Sequence, residues 1–104
     1  MNPLSDYVTH NEVRERLEAR YGANLEKLPR QDKWYLLTVI SGTLSYRERV
    51  PSDRYTLDSC LRDFELHNEV GEDSRYCLEL LEGLSDRNLL ALCEALITYL
   101  RYGG

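Results

Sequence analysis

Residues 33–50 read KWYLLTVISGTLSYRERV, and the conformation of this stretch decides the fold class. Its aromatic and β-branched residues are types that strands prefer, and a hairpin turning through Ser41 and Gly42 would place Leu44, Tyr46 and Val50 on one alternating face. Helical spacing argues the other way: Trp34, Leu37, and Ile40 with Ser41 recur at three- and four-residue intervals. A lone two-stranded hairpin is marginal in water, and the chain offers no clear third strand. The reading adopted is a helix over 30–41 that can continue past Gly42, opened by Pro29 and favoured by Asp32 in its first turn. The fold is then an all-α, compact bundle of four or five helices in one domain over 1–104, with a β-hairpin at 34–50 as the main alternative element.

The strongest periodic signal lies at 84–102, LSDRNLLALCEALITYLRY. Ser85 is a natural N-cap, and Leu84 with Leu89 has the spacing of a hydrophobic staple. Leu89, Leu92, Cys93, Leu96, Ile97 and Leu100 form one stripe, and Leu90, Ala91, Ala95 and Tyr99 widen it enough for contacts on more than one side. Gly103 and Gly104 follow as a stop.

Three further helices complete the reading. Thr9 and Glu12 have capping-box spacing ahead of a helix over 10–21, which Gly22 ends. Thr56 caps a helix with Leu57, Cys60, Leu61 and Phe64 inward, fading between His67 and Gly71. Asp73 caps another, carrying Cys77, Leu78 and Leu81 and ending near Gly83. Residues 1–8 form a lead-in packed through Leu4 and Tyr7, and Pro51-Ser52-Asp53 is the clearest turn.

With 104 residues, 42% hydrophobic and 30% charged, the chain has the composition of one folded domain. The net charge of -5 conceals an asymmetry: residues 25–56 sum to +2, whereas everything from Leu57 onward sums to -6. Cys60, Cys77 and Cys93 are odd in number and lack a Cys-x-x-Cys pair, so they read as reduced core thiols in a cytoplasmic protein. No apolar run resembles a signal peptide or a membrane span.

Chemistry is sparse. His67 follows Asp63 by four residues and would share a helix face with it, but no motif supplies a nucleophile. His10 reads as an exposed first-turn residue. The acidic residues lack the ligand alternation of a calcium loop, and the dispersed glycines form no phosphate loop, so no catalytic residue, metal site or cofactor is assigned.

The expectation is a non-catalytic regulator or inhibitor acting by binding a partner protein. Tyr7, Tyr46, Tyr55, Tyr99 and Tyr102 are the candidate exposed anchors, since aromatic side chains join large apolar area to a polar handle. Asp63, Glu65 and Glu69, with Glu72 and Asp73, form an acidic surface able to steer a basic partner. The alternative is a nucleic-acid-binding regulator in which Arg30, Lys33, Arg47, Arg49 and Arg54 contact phosphates while Tyr46 or Tyr55 stacks on bases. A homodimer would also satisfy the wide apolar faces.

Overall fold

A computed structural model describes residues 2–50 and 54–103. A short 3₁₀ turn, Leu4–Asp6, precedes five α-helices: α1 (Asn11–Tyr21), α2 (Arg30–Arg49), α3 (Leu57–Asp63), α4 (Glu72–Leu81) and α5 (Asp86–Tyr102). The described residues contain no strand. The hairpin alternative therefore falls, and the helix that replaces it runs through Gly42 to Arg49. The expected turn at 51–53 and the terminal Gly104 lie outside the described residues.

The reason α2 stays helical despite its β-branched residues is tertiary. It is the central element, packed against α3, α4 and α5, and Leu36, Val39 and Ile40 are buried on it. Thr43 donates its hydroxyl to the Val39 carbonyl at 2.7 Å, satisfying a buried polar group inside the helix. Gly42 costs helix propensity, yet a Cβ there would sit 2.8 Å from Cys60 Sγ and 2.9 Å from Phe64 Cζ. Its missing side chain is what lets α3 approach.

Two of the expected caps form as read. The Ser85 hydroxyl accepts from Asn88 N at 3.3 Å, and Thr56 forms a reciprocal capping box with Ser59. The Glu82 carboxylate also accepts from Leu57 N at 2.8 Å, which ties α4 to the start of α3.

Other ends differ from the sequence reading. Thr9 does not cap α1, because its amide and hydroxyl both donate to Asn88 Oδ1 on α5. His10 caps instead, its Nδ1 accepting from Val13 N at 3.4 Å. Gly71 rather than Asp73 precedes α4. α3 stops at Asp63, four residues before the expected fade at His67: Glu65 takes a left-handed conformation at φ 57°, Glu65 N donates to Arg62 O, and Leu66 N reaches back to Leu61 O. That is a Schellman ending built on a glutamate where glycine is usual.

The lead-in is also more fixed than expected. Leu4 and Val8 are buried, and Leu4 N donates to Ala23 O at 2.7 Å. Leu25, Leu28, Leu57, Leu81, Leu92 and Leu96 complete the shared core. The radius of gyration is 12.8 Å, the value expected for a compact domain of this length. No helix among the described residues is long and apolar enough to cross a membrane.

Candidate functional site

The site is set by the width of the apolar stripe on α5. Leu89, Leu92, Leu96 and Tyr99 turn into the core, but Leu90 and Ile97, seven residues apart, lie on the next strip of the helix and are left exposed by the described residues. They are 60% and 52% exposed, and Trp34 on α2 is 48% exposed. Leu37 and Leu44 on α2 are half-buried. Together these side chains line a groove between α2 and α5.

The groove has a volume of about 500 Å³ and is walled by Leu37, Ser41, Leu44, Leu90 and Ile97, with Cys93 in its floor. Leu37 and Ile97 also belong to an adjoining recess of about 260 Å³, which reaches Trp34, Leu100, Arg30 and Arg101. Arg47 bridges the helices at the far end. Its guanidinium pairs with Asp86 and its Nε donates to Tyr55 O at 2.9 Å. Glu48 stands beside it.

Burial pushes the Cys93 thiol up to about 11 and Cys77 up to about 12, and raises Cys60 as well. All three are free and buried. At neutral pH they are thiols, which pack and do not attack.

The sequence-selected anchors are dispersed. Tyr99 is buried, not exposed: its hydroxyl donates to Asn2 O at 3.0 Å and its ring meets Tyr7 edge-on at 6.3 Å. Tyr7 is half-buried, with its hydroxyl 3.4 Å from Thr98 Oγ1. Tyr46 and Tyr55 stack on each other at 3.9 Å, and the Tyr55 hydroxyl donates to Asp63 Oδ2 at 2.7 Å. Burial and that bond hold the Tyr55 phenol well above its ordinary range. Tyr102 is exposed at the end of α5.

The acidic set divides in the same way. Asp63 is engaged by Tyr55, and Asp73 accepts from the Tyr21 hydroxyl at 2.9 Å. Glu65 and Glu69 remain exposed. His67 lies beyond the end of α3, so the expected pairing with Asp63 on one helix face does not form; its carbonyl accepts from Arg75. Among the described residues no group of three histidine, cysteine or acidic side chains is placed to hold a metal ion.

Nor do the basic residues gather into one strip. Lys33 is buried, and its burial lowers the ammonium pKa. Arg30 and Arg47 are roughly 25 Å apart along α2 at 1.5 Å per residue. Arg49 and Arg54 are exposed, with the Arg49 guanidinium 5.9 Å from the Tyr46 ring.

The residues that sequence reasoning missed are Trp34, Leu90 and Ile97. Trp34 and Ile97 fit the inward periodicity, and only the excess width of the α5 stripe marked a second face. The chain matches no protein-family model, curated protein or solved structure with which it was compared.

Proposed function

We propose that this chain is a non-catalytic regulator or inhibitor that acts by binding another protein chain, and that the α2–α5 face is the surface it uses. The observation carrying this reading is the joint exposure of Trp34, Leu90 and Ile97 along one apolar groove. Apolar side chains gathered on one surface gain free energy when a partner removes them from water, and aromatic and aliphatic anchors seated beside a groove dominate such contacts. Charged side chains at both ends supply a polar rim. The three free thiols suit a reducing compartment such as the cytoplasm. A nucleic-acid surface is the second reading; it rests on Arg49 and Arg54 beside the stacked Tyr46 and Tyr55, and the burial of Lys33 weakens it.

The test compares the chain with its Ile97→Glu variant, which keeps a good helix former at an exposed position. Each is immobilised and offered a nuclease-treated native extract, and the retained protein is purified for a direct measurement of Kd. The expected result is at least about 100-fold weaker binding to the variant. Equal affinity for both forms would refute the face as the binding surface.

A further inference from the structure

The groove has chemically opposite ends. α2 and α5 run antiparallel: Trp34, near the start of α2, lies beside Leu100 and Arg101 near the end of α5, while Arg47, near the end of α2, meets Asp86 at the start of α5. Arg30 and Arg101 therefore rim one end. Glu48 and Asp86 rim the other, where Arg47 offsets only one of the two carboxylates.

We infer that the chain seated on this face is a second copy of this one, docked antiparallel about a two-fold axis that crosses α2 and α5 in the plane of the interface. The inference rests on the face being protein-binding and names its occupant. A two-fold axis parallel to the helices would set basic end on basic end. An axis across them reverses one copy, so that α2 lies on α2 and α5 on α5 with their ends exchanged. Arg30 then approaches the Glu48 of the other copy and Arg101 its Asp86, and symmetry makes each pairing twice. The face is self-complementary in charge in this register alone.

Shape and area agree with the charges. Ser41 is a small residue on the α2 wall of the groove; with Arg30 opposite Glu48 it faces Leu37 of the other copy and leaves room for it, while Leu90 on one copy's α5 faces Ile97 on the other's. Two helices about 10 Å across and about 21 Å long from position 34 to 48 project roughly 400 Å². This footprint, before side-chain relief adds to it, is about half of the ~800 Å² that each partner gives a standard interface, the size of a weak and reversible one.

Sedimentation velocity on the purified full chain at about 100 µM should find a species of twice the chain mass, in the micromolar range typical of a modest interface. Arg30→Glu and Glu48→Arg each place like charges opposite one another and should weaken the dimer about tenfold, and the double variant, with the ends exchanged, should recover it. Both substitutions suit the α2 dipole, acid at its start and base at its end, so the fold tolerates them. A monomer at every concentration, or a double variant no better than the single ones, overturns the inference. If a monomeric chain still loses a different protein on Ile97→Glu substitution, the second copy is refuted and the face stands as a site for that protein. If a monomeric chain keeps every protein contact in that variant, both readings fall.

Discussion

Two seams of this bundle are closed by different chemistry. Where α4 meets α1 and α2, specific polar contacts close it: the Tyr21 hydroxyl donates to Asp73, the Ser74 hydroxyl donates to Asp32, and Arg20 lies 4.1 Å over the Tyr76 ring. Where α5 meets α2 the contact is apolar: Leu92, Cys93 and Leu96 are buried on α5 and Leu36 and Ile40 on α2, Cys93 lies in the groove floor, and Trp34, Leu90 and Ile97 stand open to solvent above it. A polar seam is satisfied by its own partners, since its donors and acceptors are already paired with one another. An apolar rim is satisfied only by coverage, which any well-shaped protein surface can supply. The first seam therefore orients the fold, and the second leaves an apolar rim that only a covering surface would remove from water.

The largest expected effect separates floor from rim. Leu96→Ala removes a fully buried side chain and should cost about 2–5 kcal/mol in urea denaturation. The polar seam comes next. Asp32→Ala leaves the buried Ser74 hydroxyl without its acceptor and should cost about 1–3 kcal/mol while leaving the association state unchanged. A change in sedimentation without a loss of stability would contradict the division of labour between the seams.

A smaller effect appears with pH. Burial raises Cys77 to about 12 and Cys93 to about 11, so above the ordinary thiol range the unfolded chain has released protons that the folded chain still holds. Stability then falls as pH rises, by up to about 1.4 kcal/mol per pH unit for each thiol, until the folded-state pKa is passed. The lowered Lys33 pKa acts with the opposite sign, because the cost of burying its charge fades as pH rises. Comparing the chain with Cys77→Ala at pH 8 and pH 10 isolates the thiol, and an unchanged slope would refute its assignment. The smallest effect is at the rim. Ile97→Glu should change unfolding stability by no more than about 0.5 kcal/mol, while weakening the proposed association about 100-fold. A loss there as large as that at Leu96 would erase the distinction between the two seams.

Much of the fold was legible where the controlling interactions are local. Ser85 and Thr56 cap as read because each bonds an amide three residues along. Thr9 failed because a distant acceptor, Asn88, takes both of its donors. The end of α3 was missed because Glu65 adopts a conformation for which glycine would have been the signal. The candidate site was less legible. Helical spacing places Leu96 and Ile97 in one stripe, although a rotation of one residue moves the side chain from the core to solvent.

By itself the sequence determined the helices on either side of residues 34–50, where α5 begins, and that the leucine stripes form the core, because caps and the 3.6-residue period act within a few residues. Tertiary structure alone decided that α2 runs unbroken through Gly42, that Tyr99 is buried, and that Trp34, Leu90 and Ile97 are not. Burial of a given face depends on which neighbours the chain has to place over it. This bundle has none for the outer side of α2 and α5 among its described residues, and that uncovered strip is what a second copy would close.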